Sequence, residues 1–542
     1  MISISLSNVT LVLGARAIFR NLNWEIQHDQ KIGLIGPNGA GKSSLLKIII
    51  GEHNSEPGGN VVKAKGITIG YLPQQPEFDI EKTVISLALE GNTRIAILED
   101  ELSRIEAKIG EPRIYNDPNK LSQAIKTQQM LLDEYDALGG NFYSKQVIEL
   151  LKGLGLGEED FEKTTGILSG GQKKLLGLAR LILQRPSVLL LDEPDNHLDM
   201  PSKTFLEGLI RDYPGAVVII SHDRYLLDAV VTNIAEIEDG KLTTFPGNYT
   251  EFIVEKEQRL AKQEELYKIQ TRAINRMELA LKRYQLWVKV SDKFASRVRS
   301  MQTRLEKVEV LDRPNLNRNQ IGLAFGGWRG SNQVLKFSDV GKSFSTHKVL
   351  NNINLLIRHG DRVGLIGANG VGKSVLLRLI LGTEQPDSGE ITIGPSVKIG
   401  YYAQEHETLD FNRTIIEMVR SIGNLSESNA VALLIRYLFT YEQTTLKVGS
   451  LSGGERSRLQ LAMLVLSDAN FLLLDEPTNN LDIDSAEVLE NALTDFLGTV
   501  LVISHDRYFL DRSVSRILSL ENGDLTEYIG GYSDYFEKKQ EK

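Results

Sequence analysis

The chain has 542 residues, 41% hydrophobic and 25% charged, with a net charge of −9 and no cysteine. At roughly 100–200 residues per domain it holds several cores, and this composition excludes a mainly disordered chain. Without cysteine there are no disulfides, iron–sulfur clusters, cysteine-ligated zinc sites or cysteine nucleophiles. The opening MISISLSNVTLVLG lacks the basic segment and apolar core of a signal peptide. No stretch approaches about 18 unbroken apolar residues, so no transmembrane helix is expected. An apolar strand, KIGLIG, leads into GPNGAGKS and then the helical SSLLKIII. G-x-x-x-x-G-K-S between a strand and a helix is a phosphate loop. Gly36, Gly39 and Gly41 let the amides around Asn38 turn toward phosphate oxygens, and the helix N-terminus at Ser43 and Ser44 favours negative charge. Lys42 would neutralise phosphates, and the Ser43 hydroxyl would bind Mg²⁺.

Residues 88–138 read as an inserted arm of two helices and a turn. Ile95, Leu98, Leu102 and Ile105, then Leu121, Ile125, Leu132 and Tyr135, recur at three- and four-residue steps, broken by Gly110, Pro112 and Pro118. The arm carries both signs of charge, so a solvated hairpin and a docking element read alike. LSGGQ follows at 168–172, then VLLLDEP at 188–194. Four apolar residues before an acidic pair suit a buried parallel strand. Asp192 at its end is a carboxylate for Mg²⁺, and Glu193 is placed as general base. The strand-like AVVIIS then precedes His222.

Residues 251–330 begin with a long helical pattern free of Gly and Pro. A second helix is expected from about Asp292 to Asp312, stopped by Pro314. Between Lys268 and Lys307, eleven Lys and Arg face three acids, a local balance of +8. Arg283, Lys289, Lys293, Arg297 and Arg299 are among them, interleaved with Tyr284, Trp287 and Phe294. Basic groups track phosphates and planar groups stack on exposed bases. The alternative is a hairpin with a solvated charged face and mutually buried aromatics.

The chain then repeats itself. GLIGANGVGKS (364–374) matches GLIGPNGAGKS (33–43) at an offset of 331, and SHDRYFLD (504–511) matches SHDRYLLD (221–228) at seven of eight positions. Gly367, Asn369, Gly370, Gly372, Lys373 and Ser374 therefore take the phosphate-loop roles again. Gln404 pairs with Gln74, LSGGE (451–455) with LSGGQ, and Asp475, Glu476 and His505 with Asp192, Glu193 and His222. Lys42 and Asp192 are 150 residues apart, whereas Lys373 and Asp475 are 102 apart. The difference lies almost wholly between Gln74 and Leu168, where the arm sits. The expected organisation is a first copy at 1–250, a helical linker at 251–330 and a second copy at 331–542.

Phosphate loop, glutamine, LSGGQ/E, LLLDEP, N-x-LD and histidine, in that order and twice, resemble the motif set of ATP-binding-cassette ATPases over about 460 of the 542 residues. The resemblance implies an α/β fold: two P-loop ATPase domains in tandem that pair head to tail within a monomer. Site one would set Lys42, Glu193 and His222 against Ser452, Gly453, Gly454 and Glu455. Site two would set Lys373, Glu476 and His505 against Ser169, Gly170, Gly171 and Gln172. ATP would bring Mg²⁺, held by Ser43, Gln74 and Asp192 or by Ser374, Gln404 and Asp475. Such cassettes stack adenine on an aromatic, a role open to Phe344; the aligned Leu13 covers a base with weaker stacking. Asp195 also departs from its counterpart Thr478, as a tolerated surface substitution or as an extra carboxylate that alters Mg²⁺ binding or interface electrostatics.

Two cassettes with an arm and a basic linker, and no membrane domain, resemble the ABC-F family of translation factors. This implies a cytoplasmic ATPase that binds the ribosome near the exit site. Its linker would reach rRNA, the P-site tRNA and the peptidyl-transferase centre, in a housekeeping or an antibiotic-resistance role. The alternative is the ATPase subunit of a membrane transporter whose transmembrane chains are separate.

Overall fold

The computed structural model describes residues 1–13, 16–196, 198–288, 295–306, 323, 325–326, 328–344, 347–404, 408–423, 425–479 and 481–540. The chain divides into two units, Met1–Asn248 with Ile321–Lys542, and Tyr249–Gln320.

In the first unit each copy builds the same pair of sheets. The larger sheet of copy one runs Ile69–Leu72, Val188–Asp192, Ala216–Ile220, Lys31–Ile35, Asn233–Glu238 and Lys241–Pro246. Its first five strands are parallel and the last pairs antiparallel. Copy two repeats the order with Ile399–Tyr402, Phe471–Asp475, Thr499–Ile503, Arg362–Ile366, Arg516–Glu521 and Asp524–Ile529. Every residue of Lys31–Ile35, Val188–Asp192 and Ala216–Ile220 is buried. That explains why these strands read as unbroken apolar runs rather than as alternation. A smaller antiparallel sheet completes each copy: Arg16–Gln27, Ile2–Leu13 and Asn60–Lys63, then His347–Arg358, Gln333–Phe344 and Ser388–Ile393.

The duplication reaches the backbone. Left-handed φ angles recur at matched non-glycine positions: Asn8 and Asp339, Asn21 and Asn352, Glu193 and Glu476, Asp239 and Asn522. Few side chains tolerate that region, so the matched turns are specified in both copies.

The arm consists of Thr93–Ile109 and Pro118–Ala137, with the short helix Pro112–Tyr115 where the sequence pattern suggests only a turn. Asn92 and Asp117 cap the long helices through their side chains. Ile95, Leu98 and Leu102 are buried, as expected for a helical seam. Ile125 is not part of it: it is 51% exposed, and Ala124 is buried instead. The covered stripe is Leu121, Ala124, Gln128, Leu131 and Tyr135, facing Ile95, Leu98, Leu102, Ile105 and Ile109. Both stripes follow the seven-residue period of paired helices. Arg94 forks onto both oxygens of Glu134 at 2.6 and 2.7 Å, tying the two helices together.

In the second unit Tyr249–Val288 is one helix of 40 residues, packed against Ala295–Glu306. The continuation of the second helix expected toward Asp312 lies outside the described residues.

Candidate functional site

The site begins at the turn from strand Lys31–Ile35 into helix Lys42–Ile50. Gly41 caps that helix with φ 95°, and a Cβ there would collide with Ile18. Gly372 caps Lys373–Leu381 with φ 112° in the same way. Buried Lys42 donates to the carbonyls of Gly36 (2.7 Å) and Pro37 (3.2 Å), and Lys373 to those of Gly367 (2.8 Å) and Ala368 (3.0 Å). Each lysine is thus folded over its own loop, and burial pulls both below the usual lysine range. Gly39 and Gly370 take left-handed φ, 80° and 78°, and Asn38, Ser44, Asn369 and Ser374 complete the loops beside Gly36 and Gly367.

The two strand ends bring the carboxylates to these loops. Asp192 is buried beside the Ser43 hydroxyl, and its Oδ1 has no hydrogen bond among the described residues. A buried acceptor left over beside a hydroxyl and a lysine suits a hard divalent ion. No cluster of three or more His, Asp or Glu side chains forms a cage among the described residues. Asp475 ends the matching strand and is equally buried.

Glu193 and Glu476 follow with φ 52° and 49°, and their amides donate to Ile220 and Ile503 at 2.9 Å. The sharp turn aims both carboxylates off the strand axis. Their partners differ. Glu193 Oε2 accepts from Gln74 Nε2 (2.9 Å) and Asn196 Nδ2 (2.7 Å), while His222 Nε2 lies 3.9 Å from Oε1. Glu476 Oε2 accepts from the His505 main-chain N–H (3.2 Å), and His505 Nε2 lies 3.5 Å from Oε1; Gln404 is exposed. Burial raises both glutamates, Glu476 to about 7. Burial also keeps the histidines neutral, His222 down to about 3. A base raised toward neutrality beside a neutral imidazole is equipped to take a proton from water.

The signature motifs work first as helix starts. Ser169 caps Gly170–Gln184, accepting from Gln172 N (3.2 Å) while the Gln172 side chain accepts from Ser169 N (3.1 Å). Ser452 and Glu455 form the same box before Gly453–Leu466. S-x-x-Q/E is a capping box legible in sequence. It leaves the glycine amides at 170–171 and 453–454 at a helix N-terminus, suited to an anion.

The cassettes meet through Asp199 and Asp482, the aspartates that end the two N-x-LD motifs, and through the SHDRY arginines with their glutamate partners. Asp482 Oδ1 caps helix Ile483–Asp495 at Ser485 N, while its Oδ2 accepts from Asn38 N of the other phosphate loop at 3.0 Å. Asp199 does the same, capping Met200–Arg211 and accepting from Asn369 N at 3.3 Å. Burial opposes the charge on Asp482, but hydrogen bonds from Ser485 and Asn38 hold it below the usual aspartate range. Beside these contacts Arg224 pairs with Glu490 (3.2 Å) and lies 4.4 Å over the Tyr508 ring. Arg507 pairs with Glu207 and lies 5.1 Å over Tyr225. The Arg–Tyr of each SHDRY is therefore part of the joint. Its only sequence signal is the repeated motif itself.

Phe344 is 43% exposed at the end of its strand, with the Lys342 ammonium 5.3 Å from the ring centre. The Leu13 side chain lies outside the described residues. Of the linker candidates, Arg283 and Arg299 are exposed. Lys289, Lys293 and Phe294, and the side chains of Tyr284, Trp287 and Arg297, lie outside the described residues.

Comparison with known proteins agrees with this geometry. The ATP-binding domain model described as ABC transporter matches residues 19–196 and 350–479, and an extension model of the same description matches 235–324. The chain is 37% identical to the energy-dependent translational throttle protein EttA of Escherichia coli K12, covering 97% of this chain and 93% of that protein. It is 36% identical to the putative ATP-binding protein YdiF of Bacillus subtilis (100% and 84%) and 32% identical to ABC transporter F family member 5 of Arabidopsis thaliana (99% and 77%). In fold it is similar to the archaeal ribosome recycling factor aABCE1, solved with the stalk protein aP1, at a TM-score of 0.63 and 18% identity over 98% of this chain and 92% of that one. With both cassettes matched and relatives of this identity aligned almost end to end, the chain belongs to the ABC-F family of tandem ATP-binding-cassette ATPases.

Proposed function

We propose that the chain is an ATP-driven ribosome factor. It binds near the exit site in the ATP-closed state, acts through its linker on the P-site tRNA and the peptidyl-transferase centre, and leaves on hydrolysis. The observation that carries this reading is the basic two-helix segment between the cassettes, in a chain where no described helix is long and apolar enough to cross a membrane. The name of its E. coli relative, a translational throttle, favours a housekeeping over an antibiotic-resistance role.

In this reading the phosphate-loop amides and Lys42 or Lys373 hold the ATP phosphates, with the opposite signature glycines closing the cage. Ser43, Gln74 and Asp192, or Ser374, Gln404 and Asp475, would hold Mg²⁺, which would supply charge neutralisation at the phosphates. Glu193 or Glu476 takes a proton from the water that attacks the γ-phosphorus, and the bond from that phosphorus to the β-phosphate oxygen breaks. His222 or His505 orients the carboxylate and faces the γ-phosphate.

Gradient sedimentation of a cell lysate tests the proposal with the Glu193→Gln/Glu476→Gln double variant and ATP. The variant should travel with ribosomes. Recovery in the membrane fraction would instead support a transporter ATPase, and recovery only at the top of the gradient would overturn the ribosomal reading.

A further inference from the structure

The two cassettes differ in charge at two positions close to where they meet. Asp195 and Lys203 of the first copy correspond to Thr478 and Ala486 of the second. Lys203 lies on helix Met200–Arg211, one turn beyond Asp199. Its side chain is 9% exposed. Its Nζ donates to Asp223 Oδ2 at 2.8 Å and, across the joint, to the main-chain carbonyl of His505 at 2.9 Å. Asp195 is buried nearby and attracts the same ammonium.

His505 is the residue whose N–H and imidazole lie against Glu476. An ammonium clamped between Asp223 and the His505 carbonyl therefore fixes the backbone that holds the base of site two. Ala486 offers no amine to His222, and Glu193 rests instead on Gln74 and Asn196 of its own cassette. We propose that Lys203, supported by Asp195 and Asp223, is a positioning residue reaching from the first cassette to the Glu476–His505 pair, so that hydrolysis at site two depends on cassette pairing more strongly than hydrolysis at site one.

A further point supports it. The Lys203 ammonium reaches the His505 carbonyl across the interface, so the clamp exists only when the cassettes are paired.

The inference rests on the assignment of the two glutamates as bases, and the test separates the two. In a Glu193→Gln background, turnover reports site two; in a Glu476→Gln background it reports site one. Lys203→Met should lower the site-two kcat by about tenfold or more, the scale of a misplaced catalytic group, with KM for ATP changed less than about twofold. Its effect on site one should be at least fivefold smaller. Lys203→Arg should restore part of the loss. Met leaves Asp195 without the Lys203 ammonium and Asp223 with Arg507 alone, a change that can itself loosen the joint. The double variant Asp195→Thr/Lys203→Ala, which installs the pair already present in copy two, should therefore show the same site-two loss with a retained melting transition. Equal losses at both sites, or a KM rise without a fall in kcat, would overturn the inference alone. Full turnover in the Glu193→Gln/Glu476→Gln protein would overturn the glutamate assignment and this inference with it.

Discussion

At the scale of single residues, Glu193 and Glu476 combine a left-handed backbone with a carboxylate that is half-buried in the first copy and buried in the second. A non-glycine residue held there costs about 1–3 kcal/mol, which the surrounding strands must offset. Both amides are bonded to the neighbouring strand, so the turn does not depend on the side chain. Replacing either glutamate with Gln should thus keep the fold and lower turnover at its site by about 10²–10⁴, the usual scale of general-base assistance. Phosphate-release kinetics on each single variant measures this. Asp482 carries two jobs at once. Asp482→Ala removes a helix cap, at about 1 kcal/mol, together with the bond to Asn38 of the other cassette. Asp482→Asn keeps the cap, so it should melt like the parent. Nucleotide-dependent closure should weaken in both variants, measured by fluorescence transfer between labels on the cassettes. Phe344 belongs to the same scale: Phe344→Leu should weaken ATP binding at site two several-fold, as expected from a stacking loss of about 1 kcal/mol, measured by site-resolved nucleotide titration. The phosphate loops, strand-end carboxylates and histidines were legible because their chemistry demands particular residues at short spacings. Lys203, Glu207 and Glu490 were not, because their partners lie some 270–300 positions away along the chain, and nothing local marks a lysine or glutamate as half of a buried pair.

At the scale of elements, the arm shows how far periodicity carries. Three- and four-residue steps identify two helices and locate Ile95, Leu98 and Leu102 in the seam. They do not settle its phase on the second helix, because Ile125 is larger and more apolar than Ala124. The paired helices bury the smaller side chain and leave the larger one exposed. Leu98→Ala removes a fully buried side chain and should destabilise the first cassette by about 2–4 kcal/mol, whereas Ile125→Ala should lie within about 0.5 kcal/mol of the parent. Chemical denaturation of the two variants distinguishes them. The linker's basic character was likewise legible as charge. Replacing Lys289, Lys293, Arg297 and Arg299 with Gln should weaken ribosome pelleting and flatten its salt dependence by about one unit of slope per lost phosphate contact. Unchanged pelleting would reduce the linker to a spacer.

At the scale of the molecule, each phosphate loop is in contact with the other copy. Each phosphate loop is touched by a carboxylate from the other copy, and the SHDRY arginine of each copy ends on a glutamate of the other. Because both halves travel on one chain, their meeting is an intramolecular event, with an effective concentration on the order of millimolar for a short flexible tether and different for a stiff helical one. Specific activity should therefore stay constant as the protein is diluted. Cleavage at a protease site inserted into the linker should make it fall steeply with dilution. Covalent continuity also has an evolutionary consequence: a substitution in one copy is exposed to selection through the site it shares with its twin. The two halves can diverge in chemistry, as at Asp195 and Thr478, only along paths that keep them a working couple.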